Sequence, residues 1–218
     1  MSENDRSLRP AEPSYRKVAE ILAWTRGYFE KLGLSTPRLD AELLLAAAMG
    51  LKRIDLYTGY ERWVEAEERA RFRELIQRRA RREPVAYILG EKEFYSLPLK
   101  VTPAVLIPRP ETEHVVDACL ELLRTESVEE APRVLDLGTG SGNIAVALAV
   151  HEPRIRVDAV DISEEALEIA RENADRHGVT ERVRLLRGDL FGPLGPGSPV
   201  YRIIISTDRD SPWPEDRP

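Results

Sequence analysis

One cysteine, Cys119, is all that the 218 residues contain, so an intramolecular disulfide framework is excluded and a reducing compartment is expected. The thiol itself is read as a small packed side chain rather than a nucleophile. Long apolar runs are also missing: no stretch approaches the ~20 residues needed to span a bilayer, and the opening MSENDRSLRPAEPSYR has no apolar core for secretion. A cytoplasmic location with no membrane contact follows as the expectation. Neither sign of charge dominates. A net charge of -6 with 32% charged residues gives no global pull toward nucleic acid or an anionic surface. Internal repeats and low-complexity tracts are absent as well. What remains is a chain with 42% hydrophobic residues, able to bury a core as one large domain or two small ones.

The first third is patterned as helices. Ser14 is a candidate N-cap for a helix through about Leu32, with Val18, Ile21, Leu22, Phe29 and Leu32 near helical spacing and Gly33 as the stop. In STPRLDAELLLAAAMG, Pro37 sits in a first turn and Gly50 follows the last, and the broad apolar run predicts the centre of a small bundle. A third long helix is expected from about Val64 to Arg81, with Phe72, Leu75 and Ile76 on one face and Pro84 as its limit. Residues 1–85 therefore read as an α-helical domain. The run RRARRE invites an RNA-binding reading, but cations at a helix C-terminus are favoured by the macrodipole and are expected to form a solvated face.

Beyond Pro84 the pattern changes. EKEFYSLPLK reads as a hairpin leading through a proline-containing linker, residues 86–109, to a helix from about Glu111 to Leu123. After Pro132, short apolar strands at VLDL, IRVDAVD, VRLLRGD and YRIIIS alternate with helical segments at IAVALAV and EEALEIARENADRH, which predicts a parallel sheet wound with helices, an α/β fold.

The most informative stretch is VLDLGTGSGNIAVALA. A buried strand reaches Asp136, then Gly138, Gly140 and Gly142 turn the chain into a helix, where backbone amides can approach a nucleotide-like ligand. Glycine-rich turns of this kind also occur with no ligand at all. The dinucleotide fingerprint requires G-x-G-x-x-G, and here Asn143 stands where its last glycine would be, which argues against a nicotinamide oxidoreductase. The next strand ends at Asp161, placed to accept hydrogen bonds from the vicinal hydroxyls of a ribose. The alternative is a helix cap, a role for which Ser163 is the better candidate, leaving Asp161 for a ligand. The third strand ends at Asp189, Leu190 and Phe191, which either frame a purine or form a turn with packed apolar groups. Three strand ends at one sheet edge make the ligand reading much more specific.

The order VLDLGTGSGNIAVALA, VDISEEAL and GDLF is similar to that of S-adenosylmethionine-dependent methyltransferases of the Rossmann-like class. With FYSLPLKVTPAVLIPRPETEHVVD upstream and a helical domain before it, the chain resembles the protein-(glutamine-N5) methyltransferases of peptide chain release factors, the HemK or PrmC family, over about residues 14–206. The resemblance implies S-adenosyl-L-methionine as cofactor and release factors as partners, with no direct nucleic acid partner and no metal. It implies that Gly138, Thr139, Gly140, Ser141 and Gly142 border the methionine portion, that Asp161 holds the ribose, and that Asp189 and Leu190 flank the adenine. Arg109, Pro110, Glu111 and Thr112 match a family signature near the cofactor entrance; read from the residues alone they are a rigid linker before a capped helix. The helical domain is implied to seat the release factor, whose Gly-Gly-Gln loop presents the glutamine.

The resemblance breaks after Ser206. Members of the family continue with Asn-Pro-Pro-Tyr, which orients the substrate amide, whereas Thr207, Asp208, Arg209 and Asp210 stand here. Tyr201 and Arg202 also stand where the family more often has an aromatic residue and Asp. The expectation is a partial Rossmann-like domain over 110–206, strand order 3-2-1-4, and a non-family tail over 207–218, from a truncated or frame-shifted reading with impaired activity. The rivals are a non-catalytic module that keeps cofactor or release-factor binding, and a methyltransferase acting on nucleic acid or ribosomal protein.

Overall fold

A computed structural model describes residues 17–124 and 131–207, which divide into two compact units between Leu89 and Gly90. The first unit contains helices α1 (Val18–Lys31), α2 (Pro37–Met49), α3 (Arg53–Thr58), α4 (Ala66–Ala80) and α5 (Val85–Leu89). α2 packs against each of the other four, as its broad apolar face predicts, and buries Leu44 and Leu45 beside Phe29, Leu56 and Val64. Ser14 lies outside the described residues. α1 starts at Val18, and the Glu20 carboxylate accepts the Lys17 N–H at 3.3 Å. α5 occupies a stretch that the proline pattern assigns to a linker, and α3 is short enough to escape periodicity altogether.

Arg81 and Arg82 are exposed, as a solvated face requires, but arginines in and beside α4 also bond across the unit. Arg71 donates to the Ala48 carbonyl at the end of α2, Arg78 to the Ile88 carbonyl of α5, and Arg82 to the Leu32 carbonyl after α1. Each guanidinium thus meets carbonyl oxygens that a helix end leaves unpaired. Arg79 reaches Asp40 at 2.7 Å with both side chains largely buried. These bonds give Arg71, Arg78, Arg79 and Arg82 an architectural role.

Glu42, on α2, is another buried charge of the unit. Its carboxylate accepts from Arg38 at 2.8 Å, Tyr57 at 2.9 Å and Arg53 at 3.1 Å. Burial pushes the carboxyl up, but these hydrogen bonds outweigh it and hold the group below its ordinary value of 4.5. A depressed carboxylate stabilises the fold above its unfolded value and ceases to do so as pH falls below it. Glu42→Gln is therefore expected to cost about 1–3 kcal/mol near neutrality, less than a fully buried pair because both guanidiniums reach water. The difference from the parent should shrink in urea titrations below about pH 4.5.

The second unit opens with an antiparallel hairpin of β1 (Glu91–Phe94) and β2 (Leu97–Lys100). Its two-residue turn, Tyr95 and Ser96, has positive φ at both positions, as the tightest hairpin turns require. Helix α6 (Glu113–Arg124) secures that turn: Glu113 accepts the Tyr95 N–H at 2.9 Å and Asp117 the Tyr95 hydroxyl at 2.7 Å. Then follow β3 (Arg133–Leu137), α7 (Asn143–His151), β4 (Arg156–Asp161), α8 (Glu164–Arg176), β5 (Val183–Arg187) and β6 (Ile203–Ser206). The sheet is parallel with order β5-β4-β3-β6, the order expected from the sequence. α7 is buried along Ile144–Ala149, consistent with a helix that is apolar all round.

On one face of the sheet another buried carboxylate is fully engaged. Asp158 of β4 receives Arg184 of β5 at 2.9 and 2.7 Å and the Tyr201 hydroxyl at 2.6 Å, which ties the segment before β6 to the sheet. Among the described residues no helix is long and apolar enough to cross a membrane.

Candidate cofactor site

The glycine loop forms where β3 ends. Gly138 and Thr139 both donate their backbone N–H to the Val160 carbonyl at 2.9 Å, so the loop is pinned to the end of β4 before it turns. Gly138, Gly140 and Gly142 have φ of 72°, 55° and 75°, the left-handed region open to glycine at little cost. The roles of the last two differ. A Cβ on Gly140 would meet nothing within 4 Å, whereas one on Gly142 would lie 3.0 Å from the Ala170 Cβ and 3.2 Å from its Cα. Gly142 is thus where α8 presses on the loop, and Gly140 borders open space. Gly142 also caps α7, its carbonyl accepting the Val146 N–H at 2.8 Å.

Asp161 joins the loop from β4. One oxygen accepts the Gly140 N–H at 2.8 Å and the other the Ser163 N–H at 2.9 Å. Ser163 caps α8 by accepting the Ala166 N–H at 3.2 Å. The expected division of labour between Ser163 and Asp161 is therefore corrected in one respect: Asp161 is not idle. Each of its oxygens already holds one amide, and about two of its four acceptor positions remain for hydroxyl donors.

β5 delivers the third strand end. The Gly188 N–H donates to the Asp161 carbonyl at 3.0 Å, and the Gly192 N–H closes a tight turn on the Asp189 carbonyl. Leu190 lies in that turn with φ of 44°, a strained conformation for a branched side chain that persists only when its surroundings dictate it. Leu190 and Phe191 are exposed, and so is Ile162, next to Asp161 at the same sheet edge. Ile162 as a further candidate was not evident from the motif, although an exposed apolar residue between a strand-end aspartate and a serine cap is a readable signal.

Behind the loop sits Asp136, 1% exposed. Thr139 donates its hydroxyl proton to Oδ2 at 2.7 Å, while Oδ1 has no hydrogen-bond partner among the described residues, and neither has the buried Ser141 hydroxyl. Burial pushes the Asp136 carboxyl up to about 6; Thr139 and the Ala145 amide oppose the shift and the nearby Asp161 charge adds to it. Cys119 is buried, and burial also raises its thiol, as expected of a packed side chain.

Pro110–Thr112 form one turn of 3-10 helix leading into α6, with the Thr112 N–H on the Arg109 carbonyl at 3.1 Å. β6 is in register with β3 so that Ser206 lies opposite Leu137, the residue before Gly138. Whatever follows Ser206 therefore leaves the sheet beside the glycine loop. Of that segment Thr207 is described, and Asp208, Arg209 and Asp210 lie outside the described residues.

Residues 20–90 match the PrmC N-terminal domain family, and residues 129–195 match a methyltransferase domain family. The fold and the strand-end site thus define a methyltransferase-class protein with a helical N-terminal domain. A release factor glutamine methyltransferase of Rhodopirellula baltica is 48% identical over 190 residues, covering 87% of this chain and 64% of the relative. One from Geobacter sulfurreducens is 46% identical over 195 residues, covering 89% and 66%. The chain is similar to release factor glutamine methyltransferases over most of its own length and spans less than two thirds of the length of the curated relatives it matches. A solved SAM-dependent methyltransferase from Thiobacillus denitrificans, in complex with S-adenosyl-L-homocysteine, is similar over 37% of this chain and 30% of its own, at 32% identity and a TM-score of 0.30.

Proposed function

We propose that this chain holds S-adenosyl-L-methionine at the sheet edge formed by β3, β4 and β5, and that its reaction is methylation of the side-chain amide nitrogen of the glutamine in a release factor's Gly-Gly-Gln loop, in the cytoplasm. The observation that carries the cofactor reading is the 2.8 Å bond between Gly140 and Asp161, with open space over Gly140. Gly138, Thr139, Gly140, Ser141 and Gly142 border the methionine portion. Asp161 accepts the ribose hydroxyls with its remaining lone pairs, and Asp189 and Leu190 receive the adenine with Ile162. Arg109, Pro110, Glu111 and Thr112 stand at the entrance, and the helical unit seats the release factor. When bound, the cofactor supplies a methyl group on a sulfonium centre. What the protein adds is orientation of a weakly nucleophilic amide.

That orientation is where the sequence departs from its family. Thr207 occupies the position of the amide-accepting asparagine, and we propose that transfer is impaired for that reason. Loss of a positioned hydrogen-bonding group at a reacting centre costs roughly 10²–10³ in kcat. Calorimetry with S-adenosyl-L-homocysteine, paired with methyl transfer to purified release factor, tests both parts. Binding with turnover down by that factor against the Rhodopirellula baltica relative is expected. Turnover equal to the relative's would overturn the impairment, and absence of binding would overturn the cofactor reading. Binding with no detectable turnover would favour a non-catalytic module instead.

A further inference from the structure

Asn173 lies in α8, is fully buried, and spends its carboxamide outside its own helix. Its Oδ1 accepts the Lys100 N–H at 2.7 Å, and its Nδ2 donates to the Lys100 carbonyl at 3.0 Å and to the Ser141 carbonyl at 2.8 Å. Lys100 ends β2. With one side chain, Asn173 gives this residue the donor and acceptor that a neighbouring strand would supply. Ser141 is the residue between Gly140 and Gly142. One turn earlier on the same helix, Ala170 fills the space against Gly142.

We infer that Asn173 is a positioning residue of the cofactor site: it fixes Ser141 and Gly142 against α8 and couples the glycine loop to the hairpin. This rests on the proposed cofactor reading. Three features support it. The three bonds satisfy three of the four hydrogen-bonding positions of a carboxamide, leaving little freedom for rotation. The two loop contacts of α8, Ala170 and Asn173, are three residues apart and share a helix face. Other ties between α8 and the hairpin, the exposed ion pairs Lys100 to Glu172 and Arg176 to Glu91 and the contact of the cap residue His177 with the Pro98 carbonyl, bring the elements together but do not reach the loop.

The decisive comparison is between Asn173→Ala, Asn173→Asp and a control, Leu123→Ala. Leu123 is a buried residue at the end of α6, and its carbonyl accepts from Arg154, just before β4 begins, so it belongs to the opposite end of the sheet from the loop. Asn173→Asp keeps an acceptor for the Lys100 N–H but turns a carboxylate toward two carbonyl oxygens. All three variants should melt earlier than the parent. Only the Asn173 variants should bind S-adenosyl-L-homocysteine more weakly, by roughly 10–100-fold, as expected for loss of a hydrogen bond to a buried backbone group. Amide exchange at Gly142 should accelerate in both Asn173 variants, and at Lys100 in Asn173→Ala, with neither change in the control.

Unchanged affinity in a folded Asn173 variant, or an equal loss in Leu123→Ala, would overturn the assignment. If the parent binds no S-adenosyl-L-homocysteine, the cofactor reading fails, and the exchange measurement still decides the tie between Asn173 and the loop. Failure of both Asn173 variants to fold would make the residue structural rather than positioning.

Discussion

Valine at position 142 is expected to cost the second unit about 2–5 kcal/mol: roughly 1–2 for a left-handed backbone in a non-glycine residue and roughly 1–3 for overpacking against Ala170. The contact includes the Ala170 Cα at 3.2 Å, so rotation of a side chain cannot relieve it. Against a typical domain stability of about 5–15 kcal/mol, that is a large share. Alanine at position 140 should behave in the opposite way. Its backbone strain of about 1 kcal/mol is tolerable and its methyl meets nothing within 4 Å beyond its chain neighbours, but it enters the space proposed for the cofactor. Denaturant melts followed by circular dichroism, beside calorimetry with S-adenosyl-L-homocysteine, should separate them: Gly142→Val loses stability, and Gly140→Ala loses affinity by at least about tenfold, the equivalent of ~1.4 kcal/mol. Full affinity in Gly140→Ala would remove the loop from the cofactor site.

The second large effect concerns Asp136. Its carboxyl is raised from the ordinary 3.8 to about 6 by burial, so the folded state holds a proton that the unfolded chain releases earlier. Stability from this group is fully present below about pH 4 and is lost as pH rises through about 6. By pH 7 the loss is about 3 kcal/mol, at about 1.4 kcal/mol for each of roughly two units. Asp136→Asn keeps an acceptor for the Thr139 hydroxyl and has no charge to desolvate. Urea titrations at pH 4, 5.5 and 7 should therefore show the variant gaining on the parent at each step. Parallel pH profiles for the two proteins would sink the assignment.

Where the sequence was legible, one physical cause dominated. β3 and β4 are short runs buried along most of their length, the edge strands β5 and β6 carry Leu185, Leu186, Ile203 and Ile205, and each run leads to glycine, aspartate or serine. The glycine loop was legible because three left-handed residues in five positions leave few alternatives to glycine. The misreadings have a different origin. Arg71 of α4 and Arg82 just beyond it act on carbonyls that are distant in sequence, so local charge pattern could not show that they meet the ends of other helices. Asp161 looked free because its bond to Gly140 spans two strand ends. Asn173 was readable but passed over. It follows Ala166, Ile169 and Ala170 on the buried stripe of α8, where a polar residue implies a partner.

The strand order also fixes a sequence of events in time. β3, which leads into the glycine loop, lies between β4 and β6, and β6 is the last of the four strands to be made. During synthesis, residues 138–202 must emerge before the second neighbour of β3 exists, a wait of roughly 3–13 s at about 5–20 residues per second. For that interval one edge of the most buried strand is open to the chaperones and nascent chains around the ribosome, while the helical unit, built from local contacts and made first, is free to fold.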